Sequence, residues 1–286
     1  MPPRYRRDVR THQKHSRNPC LRTRAIKMTL NFNKLGDKHV LVIGGSSGIG
    51  RAVAELSLYS GANVTISSSR QNRIDEVISA CKTTYPNRKI AGVAVDLSKP
   101  ATIEADLERL FSAAVEANGT IHHVVFTAAN GVTVSPLDSV NGETIIEAAH
   151  FRMVVPILVA KYAAKYLPKE RQSSYTITNG SAGEKPGPNW SVTAYFCGGA
   201  VSLVKGLAVD MAPVRVNCVQ PGYVDTPLWN VMSPEQKQAF VADAEKKLLT
   251  GKVGQVEDVA EAYLWCMKDG NVTGTVAKTD AGQLLV

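Results

Sequence analysis

Residues 44 to 50 read Gly44-Gly-Ser46-Ser47-Gly48-Ile49-Gly50, a spacing suited to holding a phosphate against bare backbone. In such a string the glycines serve separate needs: a tight turn after a strand, close approach of a pyrophosphate, and close packing of helix on strand. Backbone N–H groups at the start of a following helix then face the anion. Ser46, Ser47 and Ile49 fall inside the same turn and are assigned to the same site. No metal chemistry is expected, because the five cysteines (Cys20, Cys81, Cys197, Cys218, Cys266) are scattered and form no C-x-x-C pair.

A glycine string has meaning only between a strand and a helix, and the flanking sequence supplies both. His39–Ile43 is a short β-rich apolar run, and the stretch from Arg51 has a helical pattern. Further strands are expected at 63–66, 90–95, 123–126, 175–178, 215–219 and near 274–279. Helices are expected at 74–81, 102–117, 143–167 as one or two pieces, from the Pro-rich loop at 186–188 to about Met211, near 233–249, and at 257–267. Regular alternation of apolar strands and helices predicts an α/β fold, a single doubly wound Rossmann-type parallel sheet with helices on both faces, over residues 28–286.

From about residue 37 onward the sequence resembles the short-chain dehydrogenase/reductase family, whose turn reads T-G-x-x-x-G-x-G; Ile43 stands in place of the Thr. The likeness includes Asp96 after the third strand, Arg215-Val-Asn217, Pro221-Gly222, Asp225-Thr226-Pro227, Gly274 and Asp280-Ala-Gly282. It implies a nicotinamide nucleotide in the cleft, with Asp96 near adenine, Ala128 beyond the fourth strand, and Pro221, Gly222, Val224 and Thr226 near the nicotinamide. At the end of the second strand an acid would accept hydrogen bonds from a ribose 2′-OH. Here the chain reads Ser67-Ser68-Ser69-Arg70, and a guanidinium with hydroxyls suits a 2′-phosphate, so NADP(H) is expected over NAD.

Members of this family usually work with Y-x-x-x-K, a serine about 13 residues before the tyrosine, and an asparagine on the preceding helix. Aligned without gaps from Leu207-Ala-Val-Asp210, this chain places Thr193 at the tyrosine and Cys197 at the lysine; a shifted register restores Tyr195 but puts Gly199 at the lysine. Ser181 is the nearest serine, and Arg152 occupies the asparagine place. The expected catalytic set is Arg152 to steady negative charge, with Ser181 or Tyr195 as hydroxyl donors. The loop Lys185-Pro-Gly-Pro-Asn-Trp190 is similar to one in divergent fungal-type reductases of specialised metabolism, and Trp190 and Trp229 could line an apolar pocket. The resemblance implies NADP(H)-dependent reduction of a carbonyl or imine in a hydrophobic small molecule; an iminium, already cationic, would need no general acid. The alternative keeps fold and cofactor pocket for a non-redox role, cyclisation or sensing.

Composition is ordinary for a globular chain, with 44% hydrophobic and 20% charged residues. The net charge of +8 lies wholly in residues 1–27, where nine basic residues face Asp8; the remainder carries 24 basic and 24 acidic residues. A neutral body offers no footprint for nucleic acid. Residues 1–27 are expected to form a disordered basic extension; their Arg-rich composition leaves a mitochondrial address as the alternative to the cytoplasm. No run of about 20 apolar residues is expected to span a membrane. The resemblance implies a homo-oligomer formed through two long helices, acting on a small-molecule substrate.

Overall fold

Seven apolar runs, too short for helices and rich in β-branched residues, pair into one parallel sheet. The computed structural model describes residues 30–129 and 131–286, and Asn33–Val286 forms one compact unit. Its strands are β1 (His39–Ile43), β2 (Asn63–Ser68), β3 (Ile90–Ala94), β4 (His123–Phe126), β5 (Ser174–Thr178), β6 (Arg215–Pro221) and β7 (Val276–Thr279), in the order β3-β2-β1-β4-β5-β6-β7. Parallel neighbours need a crossover, and the helices supply it: α1 (Gly48–Tyr59), α2 (Gln71–Thr84), α3 (Ile103–Asn118), α4 (Gly142–Ala149), α5 (Val155–Tyr166), α6 (Ser191–Asp210), α7 (Pro234–Lys247) and α8 (Val256–Lys268). The extension read into residues 1–27 lies outside the described residues.

Alternation along the strands divides the core in two. Val40 and Val42 of β1 pack with Val53 and Leu58 of α1, Ile74 of α2 and Tyr263 of α8. Leu41 and Ile43 point the other way, to Leu107 and Phe111 of α3 and to Val155 and Val159 of α5. Each fully buried aliphatic side chain contributes about 1.5–3 kcal/mol, and β1 is buried along its whole length. Strand order reverses between β1 and β4, so a crevice opens at their carboxyl ends.

The Arg215-Val-Asn217 segment closes the far side of the sheet. Arg215 is buried, and its guanidinium donates to the carbonyls of Arg171 (2.7 Å), Cys266, Met267 (2.7 Å) and Val272 (3.1 Å). Two of those acceptors belong to the last turn of α8, whose carbonyls have no partner within the helix. Asn217 donates to Val272 O at 3.0 Å and accepts from Thr275 N–H at 3.3 Å.

One expectation is met in its two-helix form and another changes. The stretch predicted as one or two helices over 143–167 is α4 and α5 joined by a π turn, His150–Val154. Pro156 lacks the N–H that would meet Arg152 O four residues back, so the α-helical ladder is interrupted there. The expectation that no segment is apolar and long enough to cross a bilayer is corrected. By length and composition α6 is such a helix, because small glycines and alanines alternate with Val, Leu and Phe and the charges are confined to Lys205 and Asp210. Only 22% of its apolar window is buried within this chain.

At the amino ends of the strands three histidines lie buried or half-buried. His39 donates its backbone N–H to His122 Nδ1 (3.2 Å), its ring meets Gly119 O and Thr65 Oγ1 (both 2.9 Å), and His123 Nδ1 lies 2.9 Å from Ser174 Oγ. Burial lowers all three pKa values, that of His123 furthest. Unfolded histidines titrate near 6.5, so below that pH the unfolded chain binds more protons than the folded one. The stability these groups permit is therefore present above about pH 6.5 and lost as pH falls. The urea midpoint is expected to drop between pH 7.5 and 5.5, and His123→Asn should flatten that slope; a slope unchanged by the substitution would refute the assignment.

Candidate active site

The glycine turn lies in the crevice at the reversal of strand order. Gly44 (φ +94°) and Gly48 (φ +53°) adopt conformations open to glycine. A side chain on Gly50 would overlap Gly44 O and Thr127 Oγ1, and one on Gly44 would come within 2.6 Å of Ala128 N. The start of α1 and the exit of β4 are thus pressed together, and Thr127 Oγ1 also donates to Ile43 O at 3.1 Å. Ser47 is the N-cap of α1, yet its side chain makes no capping hydrogen bond. The first N–H groups of α1 therefore remain available to an anion, which is the fit a nucleotide pyrophosphate requires.

The other nucleotide residues surround this turn. Ser46 Oγ donates to Ser68 Oγ at 2.8 Å, tying the turn to the end of β2, where Ser69 and the exposed Arg70 follow. Asp96 accepts from the Ser98 N–H (3.0 Å) and hydroxyl (2.6 Å), and these bonds hold its pKa below the ordinary value. From beyond β6, Thr226 comes within 3.5 Å of the space a Gly48 side chain would fill. Pro221 ends β6, and Gly222 donates its N–H to Thr279 O at 3.1 Å. Val224 places its side chain in the core beside α1 and α8, so only its backbone is free to meet a cofactor.

On the substrate side the π turn presents Arg152. Burial lowers its pKa, but a guanidinium remains charged at neutral pH. It donates to Gly131 O, and among the described residues no carboxylate pairs with it. It lines a cavity of about 20 Å³ together with Ala128, Thr178, Asn179, Phe196 and Cys197, room for about one water molecule. Burial raises the Cys197 thiol pKa while Arg152 opposes the rise; the group stays neutral near pH 7.

The structure settles which face of α6 looks inward. Thr193 and Cys197 are buried, and Thr193 Oγ1 donates to Thr133 O at 2.7 Å. Tyr195 is 75% exposed, with its ring against Phe196. Two residues along a helix turn about 200°, so Tyr195 points away when Thr193 points in. The expectation of Tyr195 as a hydroxyl donor in this chain's site is corrected accordingly. Ser181 is buried and donates to Gln283 Oε1 at 3.3 Å; its segment lies on α6 where a Gly180 side chain would stand 3.8 Å from Cys197 Sγ. Trp229 packs edge-on against Phe240 at 5.1 Å between ring centres.

Sequence reasoning missed Thr127, Asn179, Glu184 and Gln283. Asn179 Nδ2 donates to Cys197 O (3.0 Å) and Gln220 Oε1 (3.3 Å), and Glu184 accepts from Gln220 Nε2 (2.9 Å) and pairs with Lys278 (2.6 Å). The available signal was positional, since Thr127 and Asn179 are the first residues beyond the carboxyl ends of β4 and β5.

A parallel sheet reversing at β1 and β4, with a glycine turn leading into an uncapped helix, defines a dinucleotide-binding Rossmann-type protein. The signature described as an SDR-like Rossmann domain matches residues 31–286, and the chain belongs to the short-chain dehydrogenase/reductase family, whose members are nicotinamide-dependent oxidoreductases. It is 42% identical over 255 residues to the short-chain dehydrogenase/reductase malC of Malbranchea aurantiaca, covering 88% of this chain and 96% of that protein. It is 39% identical over 257 residues to fsr5 of Gibberella fujikuroi, covering 88% and 97%. The solved structure of the MalC reductase/Diels-Alderase superposes with a TM-score of 0.84 over 89% of this chain and 99% of that one. These relatives are fungal members of the family.

Gly50→Ala places a methyl group where Gly44 O and Thr127 Oγ1 already stand. Overpacking of this kind costs about 1–3 kcal/mol. The variant should show that loss in urea unfolding together with weakened nucleotide binding in a fluorescence titration; wild-type values in both would refute the packing argument.

Proposed function

We propose that this protein is an NADP(H)-dependent reductase acting on a carbonyl or imine carbon of a hydrophobic small molecule, in specialised-metabolite biosynthesis. One observation carries the reading: the charged Arg152 guanidinium lines the inner end of the cleft, where among the described residues it has a single carbonyl acceptor and no carboxylate. The cofactor supplies hydride when bound. Arg152 then holds the substrate oxygen and disperses the negative charge that develops on it, and the resulting alkoxide takes its proton from water, for which the cavity beside Arg152 has room. The other polar groups are poorly placed to act as acids: the Thr193 and Ser181 protons are engaged by protein oxygens, and Cys197 is a neutral thiol with a raised pKa. A fixed cation without a counter-charge favours an uncharged carbonyl over a cationic imine, because the imine would be repelled.

Preference for NADP(H) rests on Arg70 with Ser68 and Ser69 at the end of β2, where an NAD site would carry an acid. The MalC structure, described as a reductase and Diels-Alderase, keeps a second reading in view, in which the cleft shapes a substrate for cyclisation; NADPH consumption separates the two. The uncovered apolar face of α6, with Val209 78% exposed beside the outward Tyr195 side, supports pairing with a second copy of the chain. We place the protein in a reducing compartment, most simply the cytoplasm, on the free thiols of Cys81, Cys197, Cys218 and Cys266.

Fluorescence titration should show NADPH bound more tightly than NADH. Arg70→Ala should weaken NADPH about tenfold or more, the loss of one or two charge-assisted hydrogen bonds, and leave NADH unchanged; equal effects on both nucleotides would sink the assignment. With an aromatic ketone as probe, Arg152→Met should lower the rate of NADPH oxidation by roughly 10²–10³-fold without altering NADPH affinity.

A further inference from the structure

Residues 280–286 fold back over the carboxyl ends of β5 and β6 and meet the cleft through Gln283. This side chain is 7% exposed although its neighbours Leu285 and Val286 are open to solvent. Its Oε1 accepts from Ser181 Oγ at 3.3 Å, and its backbone oxygen accepts from Lys185 Nζ at 3.1 Å. The fit is close, since a side chain on Gly222 would come within 2.6 Å of Gln283 Oε1. Gly282 enters the turn in the left-handed region (φ +76°), and a side chain there would run into Leu249.

The residues that Gln283 grips form the root of the loop over the cleft. Glu184 is tied to Gln220 on β6 and to Lys278 on β7, and Lys185 to Gln283. At the tip, Asn189 O accepts from Ser135 N–H at 3.0 Å. Between root and tip lie Pro186, Gly187 and Pro188, all exposed. Two prolines limit the bending available within the loop, so its stance is set mainly where it is anchored.

We propose that Gln283 is a positioning residue of the substrate side: its side-chain carbonyl fixes the Ser181 hydroxyl and its backbone carbonyl anchors Lys185, so that residues 280–286 set where the 184–190 loop stands over the cleft. The role of that loop toward substrate rests on the reductase reading, whereas the brace itself rests on geometry alone. Substrate size is then governed from β7 as well as from the loop sequence.

The test is hydrogen exchange across residues 181–191 in the full chain, with NADPH titrated in parallel. Gln283→Met fills the same space without an acceptor, and Gln283→Glu keeps one. Gln283→Met should speed exchange in this segment about fivefold or more, the effect of losing one net hydrogen bond, and Gln283→Glu should stay within about twofold of wild type on the same basis. Adding Ser181→Ala to Gln283→Met should bring no further increase. Both single variants should bind NADPH as wild type does. Equal exchange in wild type and Gln283→Met, or equal acceleration by Met and Glu, would overturn the proposal, the latter by showing that packing alone is at work. Absence of NADPH and NADH binding by the wild type would remove the reductase reading and leave the exchange result to decide the brace.

Discussion

Everything in this molecule depends on how closely α1 begins to the strand it leaves. Gly44 and Gly50 bring the turn, the first residues of α1 and the exit of β4 together with no space for a side chain between them. That approach aims the uncapped N–H groups of α1 into the crevice and fixes Thr127 beside them. It also obliges β1 to be buried on both faces, since α1 covers one side while α3 and α5 cover the other. The cofactor cleft and the division of the core are two results of one steric constraint.

Two arginines away from bulk solvent show how differently the same side chain can be used. Arg215 is matched to four backbone carbonyls, and its donors are spent on joining β6 to the end of α8. Arg152 meets one carbonyl and faces a cavity and a neutral thiol. Five N–H donors with one acceptor among the described residues leave the rest for whatever enters the cleft. Satisfaction of hydrogen bonds, more than burial or charge, separates the two arginines.

The architecture was legible because its signals are local. Alternating apolar strands and patterned helices specify the parallel sheet, and the glycine spacing specifies the turn. The facing of α6 was harder to read: Thr193, Tyr195 and Cys197 lie within five residues, and whether Tyr195 or Thr193 looks inward depends on packing against the 178–183 segment. Arg152 was found by its place in an alignment, but the π turn that presents it follows from the missing N–H of Pro156. Gln283 left no sequence signal of its own, since a glutamine after a glycine acquires meaning only when β7 brings it beside Ser181, a pairing 102 residues apart.

Such separations also order events in time. The nucleotide half of the cleft needs Thr127 to reach Ile43 across 84 residues, and non-local closures of this kind are slow compared with helix formation. During synthesis the phosphate turn can be completed once β4 has emerged, roughly halfway along the chain. The opposite wall must wait for Gln283 to return to Ser181. The contacts of the phosphate turn thus lie within the first half of the sequence, whereas the opposite wall of the cleft is closed only by residues 280–286.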